Sequence, residues 1–159
     1  MSEHAAALAG QFERANEEFI ATIVGLSDAQ WGRPCPDDGR SVAEVAHHIV
    51  DGYTIETRAF AAIVAGQPLP PLVREEHDRA NAERAARVAG CTQHEVVALA
   101  RRDAAAAAAF VRSLTDDQLA REGAYVDWAA PMSIDQWVER ILVGHVQVHL
   151  AGIRAAAGV

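Results

Sequence analysis

Two histidines, His145 and His149, stand four residues apart in the run S-I-D-Q-W-V-E-R-I-L-V-G-H-V-Q-V-H-L-A-G-I-R, residues 133–154. At 3.6 residues per turn this spacing stacks both rings on one face of a helix. Leu142, Val146 and Ile153 flank that face, so the imidazoles turn toward the apolar side. Buried imidazoles leave ring nitrogens to satisfy, and two charged rings side by side would repel. A divalent metal answers both demands, because neutral imidazole nitrogen is its commonest protein ligand. The alternative is a pair of core histidines bonded to backbone, hydroxyls or water. A third ligand elsewhere decides between them.

That ligand is found by phase. Across the helix expected from Ser41 to about Ala65, the line Val45, His48, Gly52, Ile55, Ala59, Ala62 is apolar apart from His48. The line Arg40, Glu44, His47, Asp51, Thr54, Arg58 is polar throughout. Adjacent helical residues point about 100° apart. His48 therefore faces inward, while His47 faces solvent and pairs with Asp51. Three inward imidazoles, His48, His145 and His149, leave one position of a tetrahedral ion open, the layout of a catalytic zinc-type site. Such an ion lowers the pKa of bound water and deprotonates a bound thiol. Glu44, one turn before His48, is a candidate to support a ligand. Asp103 reads as a helix-edge carboxylate and a weaker candidate for that role. No Glu or Asp is placed inward, so no general base is assigned. A di-iron carboxylate site needs two Glu-x-x-His motifs, and this chain has only Glu44–His47, whose histidine points outward. His77 and His94 sit in polar surroundings and read as surface residues, and His4 as part of a frayed terminus.

The elements that must position these residues are announced by one recurring pattern, Ser or Thr followed three residues later by Glu or Gln. It occurs at Ser27–Gln30, Ser41–Glu44, Thr92–Glu95, Thr115–Gln118 and Ser133–Gln136, and marks helix starts. A first helix is expected from Ser2 to Leu26, with Leu8, Phe12, Ala15, Phe19, Ile23 and Leu26 inward. Trp31 to Arg40 is a loop by its Pro, Gly and Asp content. Gly66 to Pro71 is a break. Leu72 to Val88 has a weak apolar face and reads as a covering segment. Thr92 to Leu114 is a third long helix, with Val97, Ala100, Ala104, Ala107, Val111 and Leu114 inward. In the last helix the stripe Ile134, Val138, Ile141, His145, Val148, Gly152 is expected to be buried, with Gln136, Arg140, Gln147 and Arg154 opposite and Gly158 as C-cap. The Ser27 and Thr115 signals precede only short turns. No strand is convincing. The result is an all-α domain over residues 1–159, four long helices with a crossover between the second and third.

Composition agrees. The 159-residue chain is long enough for one domain with its own core, half hydrophobic and under a quarter charged. A net charge of −8 with no basic cluster argues against nucleic-acid binding. No signal peptide is apparent and no apolar run reaches bilayer length, so a cytoplasmic protein without a membrane partner is expected. Cys35 and Cys91 lack a C-x-x-C partner and read as reduced thiols. Cys35, between two prolines, is a small loop residue or an exposed thiol.

The stretches R-S-V-A-E-V-A-H-H-I and G-H-V-Q-V-H-L, in this order and with L-S-D-A-Q-W and D-R-A-N-A-E-R (Asp78, Asn81) as weaker echoes, resemble the DinB-like, or YfiT-like, superfamily of metalloenzymes. The resemblance implies a four-helix bundle of up-down-down-up topology and a homodimer. It also implies a three-histidine site for zinc, nickel or another divalent metal at His48, His145 and His149. Its characterised members include mycothiol- and bacillithiol-dependent S-transferases and a mycothiol-dependent isomerase. A low-molecular-weight thiol and a small electrophile are the partners so implied. A metal-dependent hydrolase and a non-catalytic, stress-related ligand-binding bundle are the alternatives. Two positions depart from the family: Arg40, where an aromatic residue often precedes Ser-Val, and Tyr53, where an acid is common. The Ala- and Arg-rich, Lys-free composition suits a high-GC bacterium and, in an actinobacterial host, mycothiol.

Overall fold

The computed structural model describes residues 2–37 and 39–159. Asp38, within the expected Trp31–Arg40 loop, lies outside the described residues. Four long helices form the bundle: α1 (Glu3–Val24), α3 (Val42–Val64), α5 (Gln93–Ser113) and a last helix built in three parts. These parts are α7 (Ile134–Trp137), a π-helical stretch (Val138–Val143) and α8 (Gly144–Ala157). The short turns α2 (Asp28–Trp31) and α6 (Asp116–Leu119) stand where the extra capping signals predict them. Ser27, Ser41, Thr92 and Thr115 form complete capping boxes, each hydroxyl oxygen accepting from the N3 amide while the N3 side chain accepts from the cap amide. At Ser133 the amide donates to Gln136 Oε1 at 3.2 Å, but its hydroxyl turns to Asp135.

Hydrogen bonds between the ends fix the topology. At one end Gln93 Nε2 donates to the carbonyls of Ile23 and Leu26, both at 2.8 Å, so α5 starts where α1 finishes. Cys91 Sγ donates to Ala43 O at 3.5 Å, so α3 and α5 start together and run parallel. Gln30 Nε2 donates to Ala157 O at 2.9 Å, which brings the last helix to its end beside the start of α3. The order is up-down-down-up. Because α3 and α5 run parallel, the chain must return along the bundle between them. Helix α4 (Arg74–Val88) does so on the outside of α3, with none of its residues fully buried. Helix α1 packs on α5 and the last helix, and α3 packs on the same two. The diagonal pair α1 and α3 meets through long side chains: Tyr53 donates its hydroxyl to Asn16 Oδ1 at 2.8 Å, and Phe12 stands edge-on to the Tyr53 ring.

The expected inner lines of the first and third long helices are buried throughout. Two expectations change. Glu122–Gly123 and Met132–Ser133 pair as a two-stranded antiparallel ribbon, β1 and β2, too short to carry an alternating pattern. Of the two readings of Cys35 the small loop residue holds: it is buried, with its amide donating to Arg40 O at 2.7 Å. Val148, placed in the inner stripe by its spacing, is 65% exposed. The π-helical stretch explains this: Gly144 N–H bonds Glu139 O, five residues back, and the wider turn rotates everything after it. The buried line of α8 is Val146, Leu150, Ile153 and Ala157. Accordingly, Val148→Ala is expected to change stability by less than about 0.5 kcal/mol, as for other exposed sites. Urea denaturation of parent and variant checks it. Gly158 ends the helix as expected, at φ 74°, with its amide on Arg154 O.

Candidate metal centre

The site forms where α3 faces the last helix. His48 comes from the second turn of α3, whose phase is set by the Ser41–Glu44 box. His145 and His149 come from α8, one turn apart, directly after the π-helical stretch. His145 Nε2 lies 3.0 Å from His48 Nε2. The three ring centroids are 4.6 to 5.0 Å apart, with the planes nearly perpendicular. One nitrogen from each ring falls within 4.8 Å of the others, a cluster able to hold a metal ion.

Electrostatics keeps two of these rings ready as ligands. Burial first, then the charge that His145 and His149 would carry, pushes His48 down to about 2. Burial, then His149, pushes His145 down to about 3. Both are neutral at physiological pH with a lone pair available. Two imidazole nitrogens on one tetrahedral zinc, at about 2.0–2.1 Å each, stand roughly 3.3 Å apart. The observed 3.0 Å separation needs little adjustment to reach that. Nitrogen-only ligation suits zinc and nickel over magnesium or calcium. The donor set fits a divalent transition ion.

A carboxyl group that the sequence reading overlooked completes the cluster. Glu56 is only 5% exposed, and its Oε1 lies 3.6 Å from His145 Nδ1. His145 Nδ1 and Glu56 Oε2 are both buried without a hydrogen-bond partner. Burial holds the Glu56 carboxyl well above the usual range, which favours its neutral form beside an uncharged imidazole. An ion on Nε2 leaves Nδ1–H as donor and Glu56 as the natural acceptor, the arrangement by which carboxylates orient metal-bound histidines. Glu56 lies eight residues, two turns and a fraction, after His48 on the same helix. The phase argument passed over it for Ile55, because a charged residue is read as exposed by default.

Gly52, between His48 and Glu56, makes room for His145. A Cβ there would sit 3.0 Å from Glu56 Oε1 and 3.2 Å from both Nδ1 and Cε1 of His145. Gly52→Ala is expected to tilt the His145 ring and weaken zinc affinity about tenfold, the lower end for disturbed ligand support. Competition with a chromophoric chelator reads this directly.

The histidines open onto a cavity of about 960 Å³ between α3, α4 and the connection into the last helix. Leu72, Val126, Trp128 and Met132 line its apolar wall. A parallel bridge, with Leu72 N–H donating to Tyr125 O and Asp127 N–H to Leu72 O, ties the start of the crossover to that wall. His77, read from sequence as a surface residue, belongs to the cavity: its ring packs 5.3 Å from Trp128, against which Arg74 stacks from 4.6 Å. Polar flanking residues hid this, since α4 lays one of its faces over the site. His47 does pair with Asp51, at 3.2 Å, but its side chain is only 15% exposed. His94 is exposed, and His4 is exposed within the first turn of α1 rather than in a frayed end. Glu44 is taken up by the capping box, and Asp103 pairs with Arg102. Of the two departures from the family pattern, Arg40 lines the cavity whereas Tyr53 is buried against Asn16 and Phe12.

An up-down-down-up bundle with three inward histidines on its second and last long helices defines a class, the helical bundles with a histidine cluster able to hold a metal ion. The chain belongs to the DinB superfamily, whose family model matches residues 11–153. Solved structures agree on the fold. YfiT from Bacillus subtilis, described as a probable metal-dependent hydrolase with an unusual four-helix bundle topology, superposes with a TM-score of 0.78 at 18% identity. The alignment covers 99% of this chain and 89% of YfiT. The mycothiol-dependent maleylpyruvate isomerase matches at 0.76 and 11% identity, covering 96% of this chain and 63% of that longer one. An uncharacterized protein from Clostridium difficile 630 matches at 0.77 and 14% identity, covering 100% and 98%. No curated protein matches the sequence. Among the described residues, no helix is long and apolar enough to cross a membrane.

Proposed function

We propose that this protein is a divalent-metal-dependent enzyme that uses zinc or nickel at His48, His145 and His149 to transfer a low-molecular-weight thiol, of the mycothiol type, to a small electrophile. The observation that carries the reading is the three-histidine cluster opening onto a cavity of about 960 Å³. That volume lies at the upper end of ligand pockets, roughly 300–1,000 Å³, and suits two co-substrates together. The bound metal would supply Lewis acidity, making a thiol nucleophilic at neutral pH. The three imidazoles hold the ion and leave its remaining side toward the cavity. Glu56 and the space at Gly52 fix the His145 ring, and the wall of Leu72, Val126 and Trp128 excludes water from an apolar electrophile. A bacterial, cytoplasmic homodimer that binds neither nucleic acid nor membrane completes the reading.

Hydrolysis on the same centre is the second reading, favoured by the carboxyl group of Glu56 beside a ligand and by the description given to YfiT. A screen separates them. Metal-loaded protein is incubated with mycothiol, bacillithiol or glutathione and a panel of electrophiles, alongside ester and amide substrates without thiol. Thiol-dependent product formation is the expected result. Turnover of esters or amides without thiol selects the hydrolase, and a metal-replete protein inert with every thiol rejects the transferase.

A further inference from the structure

Arg84 is the one described side chain outside the histidine cluster and Glu56 that is left with a buried polar atom and no partner. Its Nε is inaccessible and makes no hydrogen bond, while its Nη2 donates to Asn81 Oδ1 at 3.0 Å. Asn81 in turn stands 3.3 Å from the His77 ring, so the guanidinium is held in place from one side. A buried guanidinium N–H normally finds an acceptor, because leaving it unpaired is costly. Arg84 lines the same cavity as the three histidines, and its charge reaches Tyr125 on the opposite wall.

We propose that Arg84 binds a carboxylate of the substrate, so that the enzyme acts on small anionic molecules with an apolar body. The guanidinium presents a planar fork matched to a carboxylate. Arg40 and Arg140, on the same cavity, add positive potential in a chain whose net charge is −8. The acids there limit the charge accepted. Asp51 is engaged by His47, and Glu76 and Glu83 are exposed at the rim, so the balance suits one negative charge better than a phosphate dianion. Leu72, Val126 and Trp128 receive the apolar part. For the reaction that follows, the proposal rests on the metal-site reading, but the binding step needs no metal.

Benzoate and its uncharged isostere benzamide are titrated calorimetrically into the metal-free protein, into Arg84→Gln and Arg84→Lys, and into the His48→Ala, His145→Ala, His149→Ala variant. Benzoate is expected to bind at least tenfold tighter than benzamide. Arg84→Gln is expected to remove that preference, Arg84→Lys to keep part of it, and the triple variant to stay within about threefold of the parent. Equal affinity for the two probes, benzoate affinity unchanged in Arg84→Gln, or loss of benzoate only in the triple variant would overturn the assignment. Zinc uptake by Arg84→Gln is expected to match the parent's, so failure of the carboxylate site is distinct from failure of the metal centre.

Discussion

Saturating zinc or nickel is expected to raise the melting temperature of the metal-free protein by about 8–16 °C, and the His48→Ala, His145→Ala, His149→Ala variant to lose that rise. The magnitude follows from linkage. A ligand that binds only the folded state, at about 1,000 times its Kd, stabilises by about 4 kcal/mol. In domains of roughly 150–250 residues each kcal/mol moves Tm by about 2–4 °C. The expectation requires the folded chain to hold all three rings together, which the 4.6–5.0 Å ring spacing provides and the unfolded chain cannot. Differential scanning fluorimetry with and without metal, paired with elemental analysis of protein purified without a metal column, tests it. A parent that takes up no zinc or nickel and shows no shift would reduce the three rings to core histidines.

The metal-free Glu56→Gln variant is expected to lose stability as pH falls from about 6 to 5, by roughly 2.5 kcal/mol per pH unit, and the parent to lose it less steeply. Stability rises with pH wherever the unfolded chain binds more protons than the folded one. His48 and His145 titrate at about 2 and about 3 when folded, against 6.5 when unfolded. Across this window they are neutral folded and mostly protonated unfolded, an excess of nearly two protons for the unfolded chain. Glu56 acts oppositely: burial raises its folded pKa well above 4.5, so in the parent it offsets part of that difference. The net difference is therefore smaller in the parent, and close to two protons once Glu56 can no longer titrate. His47, raised by its Asp51 partner, is mostly protonated in both states here and contributes little. Urea titrations at pH 5.0, 5.5 and 6.0 on chelator-treated parent and variant measure both slopes. A flat variant profile would mean that the two imidazoles are not held neutral.

The long helices were legible because their information is local. Capping boxes at Ser41 and Thr92 fix where helices start, and apolar residues at 3.6-residue spacing fix which side faces in. His48 was separable from His47 on the same ground, since a phase difference of about 100° lies in the chain itself. The stripe through Val148 failed because a π-helical stretch is stabilised by its surroundings, and no local signal marks the added residue. Glu56 and His77 were misjudged for a related reason. A charged or polar residue is read as exposed unless a partner can be seen, and their partners come from the last helix and from the connection at Trp128.

The sequence by itself determined four long helices, the inner faces of the first and third, a crossover between the second and third, and three histidines turned inward. Each follows from interactions within a few residues along the chain, or from counting residues in a connection. Only the tertiary structure decided that α3 lies against the last helix, and so that His48 meets His145 at 3.0 Å. It alone laid α4 over the site as a wall, left Arg84 Nε without a partner, and set Glu56 beside His145. Those relations depend on which helices are neighbours, and an amphipathic helix buries its apolar face equally well against any partner of matching shape.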